Sequence, residues 1–332
     1  MKTRLSVLLV LFTWSWASCA IAAKNEFVMK GATVAPPNTP WAQLLKKYKK
    51  IVRKGSEKRV KVKVYLGGTK GDEQSIVRQL LKGSLQYGGV SVGAMSVVVP
   101  ELDILELPYL FDTYEEADKV LDKVRPLIEE ILEKKGFKLV MFSENGFRCF
   151  GTKKPVRTPA DLKGVAMRSQ ESPSHLAMYQ TLGAAARAIA VSEVLPALNT
   201  GNVDGFDNTA LFTQAASWHQ AIKYFTVSQH IYQPALLVLN KAYYEGLPEA
   251  LKSVVMPTDR GLEKSGRKGI RALEPLLFDN FKAQKIEVVH LTDAEKAEFK
   301  KVTRAAWDAR MAKATEMGKK LFAAIQAAKK AQ

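Results

Sequence analysis

Arg168 is the residue whose chemistry stands out first in this sequence. It lies in the stretch GVAMRSQESP, residues 164–173, directly after an apolar run that is typical of a buried strand. A guanidinium offers a planar fork of donors that fits a carboxylate with two parallel hydrogen bonds. The position predicts an anion-binding side chain in a cleft or, alternatively, a surface charge or a structural salt bridge.

Other residue types that perform chemistry are sparse. The four histidines, at 175, 219, 230 and 290, include no pair at metal-ligand spacing, so the sequence predicts no histidine-based metal site. Besides Cys19, the chain has only Cys149, which excludes an intrachain disulfide in the mature protein and is typical of a core thiol. The stretch GGVSVGA lacks phosphate-loop and dinucleotide-loop spacing and indicates close backbone packing. No G-x-S-x-G elbow is present. We expect neither a cofactor nor an enzyme activity.

The first 22 residues are typical of a secretory signal. Lys2 and Arg4 precede an apolar stretch, and Ala20-Ile21-Ala22 offers a cleavage site with small residues. An alternative is lipid attachment at Cys19, although Trp stands where such sites usually carry Leu. No later segment approaches 18 uncharged apolar residues, so no integral membrane helix is predicted. We therefore expect an exported protein.

The mature chain is strongly basic. Removing the first 22 residues takes away two cations and no anions, which leaves 48 Lys and Arg against 33 Asp and Glu, a net charge of +15. Such a charge favours an anionic ligand, a membrane surface or nucleic acid, but it is also typical of a well-solvated surface. Because the chain shows no basic-aromatic module, a nucleic-acid partner is not predicted.

Strands and helices alternate along the chain and predict an α/β fold. EFVMKGATV, RVKVKVYL, VAMRSQ, VDGFDN and IEVVHL read as strands, and FKLVMFSE and RCFGTKKPV as two more. Helix starts are indicated by Thr39 with Pro40, by Asp72, by Ser172 with Pro173, and by a capping box of Thr292 and Glu295. With no Pro/Gly-rich tether, low-complexity block or fixed repeat, any two lobes must be joined by ordinary strands.

Three long stretches carry a family resemblance. ENGFRCFGTKKPVRTPADLKGVAMRSQ, LGAAARAIAVSEVLPALNTGNVDGFDN and HIYQPALLVLNKAYYEGLPEAL resemble the substrate-binding subunits of tripartite ATP-independent periplasmic (TRAP) transporters, and GGTKGDEQSIVRQLLKG and VPELDILELPYLFDTYEEA agree. The resemblance implies a two-lobed periplasmic binding protein fold, with lobes joined by crossing strands and braced by a long helix. It places residues 24–145 and about 234–273 in lobe 1, and residues 146–233 and about 274–332 in lobe 2.

The same resemblance implies the site. Arg168 matches the family arginine that pairs with the ligand carboxylate, and Arg148 and Asn208 match two further ligand residues. Gln170 is expected beside Arg168. The alternatives stay open: Arg148 bracing a neighbouring carboxylate, and Asn208 capping a turn.

Departures from the family pattern bear on the ligand. Ala186 and Ala188 replace common prolines, Leu195 replaces a usual Tyr, and Phe206 with Asp207 replaces a usual Gln-Glu pair. Phe206 would add an apolar wall, which favours a monocarboxylate with an apolar body. The resemblance implies a periplasmic receptor that delivers this organic acid to TRAP membrane permease subunits driven by an ion gradient, with a periplasmic helical-repeat protein as a further partner. The alternative is a periplasmic carrier of an apolar or lipid-like ligand that acts with an envelope partner.

Overall fold

The computed structural model describes residues 26–331. The signal segment at residues 1–22, with Cys19 as the alternative lipid-attachment site, lies outside the described residues. Within residues 26–331, no helix is both long enough and apolar enough to cross a membrane.

The α/β class predicted from the sequence is confirmed, with nine strands and thirteen α-helices among the described residues. The strands are β1 (Phe27–Ala32), β2 (Val60–Tyr65), β3 (Tyr87–Ser91), β4 (Phe137–Thr152), β5 (Ala166–Ser169), β6 (Ala185–Ala188), β7 (Gly205–Asn208), β8 (Tyr224–Asn240) and β9 (Glu287–His290). The α-helices are α1 (Pro40–Gly55), α2 (Glu73–Leu81), α3 (Val92–Met95), α4 (Tyr114–Lys134), α5 (Pro173–Thr181), α6 (Val194–Asn199), α7 (Ala210–Ala215), α8 (Lys241–Glu245), α9 (Glu249–Val255), α10 (Gly261–Arg271), α11 (Glu274–Ala283), α12 (Asp293–Met311) and α13 (Glu316–Lys330). Short 3-10 helices cover Pro100–Glu106, Pro159–Leu162, Val191–Glu193 and Trp218–Ala221.

The predicted helix starts are confirmed at the level of hydrogen bonds. The Thr39 side chain accepts from the Ala42 amide and Pro40 occupies the first turn. Asp72 caps α2, Ser172 caps α5, and Thr292 with Glu295 forms the capping box of α12. These caps satisfy amides that have no partner inside the helix, so the local sequence fixes where each helix begins.

One sheet runs through the whole fold. Its order is β2-β1-β3-β8-β4-β7-β5-β6, and β9 pairs with β8. β1, β2 and β3 are mutually parallel, as are β5, β6 and β7, whereas β4 is antiparallel to both β7 and β8. The antiparallel pair β4 and β8 therefore joins two parallel groups of strands.

β4 and β8 are the crossing strands, with 16 and 17 residues. β3 pairs with residues 235–239 of β8, while β9 pairs with residues 224–227 at its other end. The sequence predicts two strands where β4 is continuous, because Asn145 and Gly146 read as a break. In the structure they lie at a register shift between Glu144 and Gly146, where the strand bends without ending.

Each half of the sheet is covered by helices on both faces. The first half has one hydrophobic cluster with α2, α4 and α13 and another with α1 and α9, and the second half has clusters with α6 and α7 and with α5 and α12. The helical segment expected as a long brace is interrupted at residues 272–273, so α10 and α11 follow each other as two helices. The lobe boundaries stay a prediction, although α13, which was expected in lobe 2, packs into the α4 cluster of the first half.

Candidate functional site

A cavity opens where the two parallel groups of strands end. Its walls include the residues that follow β1, the end of β3, Arg168 of β5, Asn208 of β7 and the first turn of α2. It encloses about 910 Å³ of empty space, part of which is open to solvent. Carboxyl ends of parallel strands are the usual place for ligands in α/β folds, and this volume suits a small organic molecule.

Arg168 lies in the wall of this cavity, and β5 determines its direction. Met167 is fully buried in the core, and Arg168, the next residue along the strand, points to the opposite face. Arg168 is only 3% exposed, and the carbon of its guanidinium lies 5.2 Å from the centroid of the Trp218 ring. The short strand therefore holds a buried cation over an aromatic face at the edge of the cavity.

The guanidinium of Arg168 has almost no protein partners. Its Nε donates to the Ile189 carbonyl at 2.9 Å, and among the described residues neither Nη atom donates to an acceptor and no carboxylate forms an ion pair with it. Burial, together with the charge of Arg148, lowers the pKa of Arg168 to about 10. A buried cation without a counter-ion is costly, so this position favours an incoming anion.

Arg148 also lines the cavity, but it is already neutralised. Its Nε pairs with Asp207 Oδ2 at 2.5 Å, and its Nη2 donates to the Asp207 carbonyl oxygen. Its Nη1 donates to Gln233 at 2.8 Å and, at 3.4 Å, to Asn208. Burial alone would lower the pKa of Arg148, but the carboxylate of Asp207 raises it above its usual value. Four of its five donors are therefore engaged within the protein.

Two predicted amides complete the polar wall. Asn208 Oδ1 accepts from the Thr209 amide at 2.8 Å, and its Nδ2 has no acceptor among the described residues. Gln170 donates to Ser91 Oγ at 2.8 Å and accepts from Gln233 at 2.9 Å. The structure thus brings Arg168, Arg148, Asn208 and Gln170 to one cavity.

Phe206 is not among the residues that line the cavity. It is fully buried, its ring meets Trp218 edge to face at 5.0 Å between centroids, and it covers Gly151. Since side chains alternate along β7, Phe206 and Asp207 face opposite sides of the strand. The apolar wall predicted for Phe206 is therefore not formed by this side chain, which instead supports the ring that lies against Arg168.

Sequence reasoning missed Glu73, the first residue of α2. Its Oε1 accepts from the Ser91 amide at 2.9 Å, and its Oε2 accepts from Ser91 Oγ at 2.7 Å and from Gln170 at 3.4 Å. Burial raises the pKa of this carboxyl, which lines the cavity. The available signal was that Asp72 already caps α2, which leaves the adjacent carboxylate free for another role.

Sequence reasoning also missed the polar cluster beneath the cavity. Asp207 accepts from the Tyr179 hydroxyl at 2.9 Å and lies 3.5 Å from His230 Nε2, and the charge of Arg148 helps to hold its pKa well below the usual range despite burial. His175 Nε2 lies 2.6 Å from Glu106. These histidines come from different helices and strands, so spacing in the sequence could not bring them together.

The interpretations of Cys149 and of GGVSVGA are confirmed. Cys149 is 1% exposed, and burial raises its thiol pKa to about 12. A Cβ at Gly89 would lie 2.9 Å from Trp41, so the glycine allows the indole to lie against β3 on the cavity wall. Within residues 26–331, no group of three or more His, Cys, Asp or Glu could hold a metal ion.

Comparison with known proteins places these features in a family. The model of the bacterial extracellular solute-binding proteins, family 7, matches residues 31–314. The C4-dicarboxylate-binding periplasmic protein DctP of Rhodobacter capsulatus is 30% identical over 320 residues, covering 92% of each chain. A solute-binding protein of Verminephrobacter eiseniae is 37% identical over 207 residues, and this match spans 61% of each chain.

A solved structure gives the same answer for the fold. The TRAP periplasmic solute-binding protein of Polaromonas sp. JS666, bound to D-erythronate, is 28% identical, with a TM-score of 0.84 and coverage of 91% of this chain and 99% of that chain. The two-lobed architecture expected from the sequence is thereby confirmed.

Proposed function

The chain belongs to family 7 of the bacterial extracellular solute-binding proteins, and on that premise we propose that its cavity binds the carboxylate of an organic acid at Arg168. The protein is a periplasmic transport receptor of the TRAP type for organic acids, and it is not an enzyme. The observation that carries the proposal is a buried guanidinium in the cavity wall whose Nη donors have no protein acceptor among the described residues.

Arg168 alone does not supply the affinity of a transport receptor. A charge-assisted hydrogen bond contributes about 1.5–3 kcal/mol, whereas micromolar binding needs about 8 kcal/mol. Asn208 supports the proposal because its Nδ2 donors lack a protein acceptor in the described chain and lie in the same cavity. We propose that Arg148 acts on the ligand mainly through its positive charge and donates at most one hydrogen bond to it. Its other donors are engaged by Asp207, Gln233 and Asn208.

The remainder of the cavity favours a monocarboxylate with an apolar body. Its walls include Val34, Trp41, Val191, Leu211 and Phe212. Glu73 adds a carboxylate that would repel a second negative charge on the ligand and accept a hydrogen bond from a ligand hydroxyl. A wholly apolar ligand would leave Arg168 buried without a counter-ion, so the lipid-carrier alternative is not favoured.

The proposed partners follow from the family. A receptor of this type hands its organic acid to TRAP membrane permease subunits, and we propose that ion-coupled uptake for this chain. The periplasmic helical-repeat partner stays a prediction.

Calorimetry with a panel of carboxylates tests the proposal. D-erythronate, (S)-2-acetolactate and succinate are the first ligands to try, because relatives in the family are solved with them. For the best ligand, Arg168→Met should weaken binding by about 2–5 kcal/mol, which is roughly 30-fold or more. Arg187→Met is the matched control, since Arg187 lies opposite Arg168 in the register of β5 and β6 but is exposed.

The control should keep its affinity within about twofold, because an exposed arginine on the neighbouring strand contributes little. Equal binding by wild type and Arg168→Met would contradict the assignment. If no carboxylate bound and the protein instead purified with a lipid, the carrier alternative would replace the receptor.

A further inference from the structure

α1 has an outer face made almost entirely of cations. Its inner face, with Trp41, Leu45, Tyr48 and Val52 among others, packs on the sheet. We define the basic face as the outward residues Lys46, Lys47, Lys49, Lys50, Arg53 and Lys54. The helix contains no Asp or Glu, and four of these six side chains are exposed.

None of the six residues of the basic face forms an ion pair within residues 26–331. Their one side-chain hydrogen bond runs from Lys46 Nζ to the Pro37 carbonyl oxygen at 3.3 Å. By contrast, Arg260 immediately before α10, and Arg267 and Arg271 within it, all pair with carboxylates. Like charges three or four residues apart destabilise a helix, and within the described chain no carboxylate forms an ion pair that offsets this repulsion on the basic face.

The charge continues past α1 around the edge of the sheet. β2 is the end strand, and its Lys61 and Lys63 are exposed, as is Lys58 in the preceding turn. Arg59 is the exception in this segment, with an ion pair to Glu26 at 2.7 Å. Ile51, which is 42% exposed, lies among the cations on the outer side of α1.

We propose that the basic face docks the protein on a phospholipid surface that carries anionic headgroups. Lysine clusters are attracted to anionic lipids without needing a shaped partner, and an exposed Ile51 can enter the headgroup region. Protein interfaces are instead poor in lysine and rich in aromatic residues, whereas the basic face has five lysines, one arginine and no aromatic side chain. The face does not include any cavity residue, so docking is separate from solute binding.

Co-sedimentation with vesicles tests this inference. The mature protein is mixed with vesicles of phosphatidylcholine alone or with equal parts of phosphatidylglycerol, at low and at physiological salt. We expect binding only to the anionic vesicles, weakening as salt rises. The fourfold variant Lys47→Gln, Lys50→Gln, Arg53→Gln and Lys54→Gln should lose about tenfold or more of that binding.

A matched variant removes the same charge elsewhere. Lys163→Gln, Lys264→Gln, Lys301→Gln and Lys313→Gln change four exposed lysines that form no ion pair in the described chain. This control should bind anionic vesicles within about twofold of wild type. Neither variant should melt at a lower temperature than wild type or lose solute binding, which shows that each one folds.

Three results would overturn the inference: no binding to anionic vesicles, equal binding to both vesicle types, or equal losses in the two variants. The last would mean that net charge alone attracts the protein. A fourth overturning result is a basic-face variant that binds vesicles like wild type but no longer binds the purified permease, which would mean that the face serves a protein partner instead.

Discussion

Arg148 and Arg168 line the same cavity, both nearly fully buried, yet their surroundings are opposite. Arg148 has a carboxylate of its own in Asp207 and uses four of its five donors within the protein. Arg168 has one engaged donor, a Trp218 ring beneath it and no ion pair in the described chain. Correspondingly, the pKa of Arg148 is raised and that of Arg168 is lowered to about 10.

The difference separates a structural charge from a binding charge. Burying a charge is costly unless it is paired, so an ion pair such as Arg148 with Asp207 belongs to the folded architecture. A cation left unpaired at a cavity wall destabilises the empty protein. When an anionic ligand binds, it supplies the missing counter-ion and removes that destabilisation. The two arginines should therefore respond to mutation in opposite directions.

Asp207→Asn should give the largest effect, on stability. It removes the counter-ion of Arg148 and leaves both arginines of the cavity without an ion pair in the described chain. We expect the free energy of unfolding in urea to fall by about 3–5 kcal/mol. Asp204→Asn is the control, because Asp204 makes only an exposed ion pair with Lys153 at 3.5 Å and should change stability by less than about 0.5 kcal/mol.

The second step of this test removes Arg148 in the same background. Adding Arg148→Met to Asp207→Asn should restore part of the lost stability, because no unpaired charge then remains at that position. A double variant less stable than Asp207→Asn alone would contradict the claim that the unpaired charge of Arg148 causes the loss of stability.

Arg168→Met should move stability the other way. The variant removes a cation whose pKa is lowered by burial, but the shorter, neutral Met side chain does not reproduce the contact of the guanidinium with Trp218. We expect the ligand-free protein to gain roughly 1–2 kcal/mol, less than the pKa shift alone implies because the contact with Trp218 is also lost. Urea unfolding without ligand measures it, and a clear loss of stability would show that Arg168 serves the fold.

The sequence was sufficient for most of the architecture because its signals were local. The side chains of Thr39, Asp72 and Ser172 indicate helix starts, and the alternation of apolar and polar residues in RVKVKVYL indicates β2. β6 was missed because three of its four residues are alanines, which give no apolar alternation, and its pairing with β5 supplies what the local sequence lacks. The continuity of β4 was missed for a similar reason, since Asn and Gly favour turns when read locally.

The site was less accessible from sequence. The resemblance pointed to Arg168, Arg148 and Asn208, but nothing local distinguished the paired arginine from the unpaired one. That distinction depends on Asp207, 59 residues from Arg148 along the chain, whose partners appear only when β4, β7 and β8 lie side by side. The placement of Phe206 against Trp218 likewise depends on which face of β7 packs on the core, and the sequence of one strand does not show that.

Glu73→Gln should sharpen the comparison through selectivity. Unlike Asp207, Glu73 forms no ion pair with either arginine, and its carboxyl lines the cavity, where its charge acts on a bound ligand as well as on Arg168. Replacing it with a neutral amide removes a repulsion, and we expect the affinity for succinate to rise about tenfold relative to a monocarboxylate of similar length, equivalent to about 1.4 kcal/mol. Calorimetry with both ligands measures the ratio of the two affinities. An unchanged ratio would show that Glu73 does not contribute to specificity.

The smallest effect concerns pH. Arg168 is charged below its pKa of about 10 and loses its proton above it, whereas the ligand carboxylate is ionised throughout this range. Because a carboxylate binds the charged form, affinity should be constant from neutral pH to about pH 9 and fall roughly twofold at pH 10. The residual binding of Arg168→Met should show no such decline. Affinity that stayed constant beyond pH 11 would mean that the empty cavity stabilises the charge of Arg168 as well as Asp207 stabilises that of Arg148, and the contrast between the two arginines would disappear.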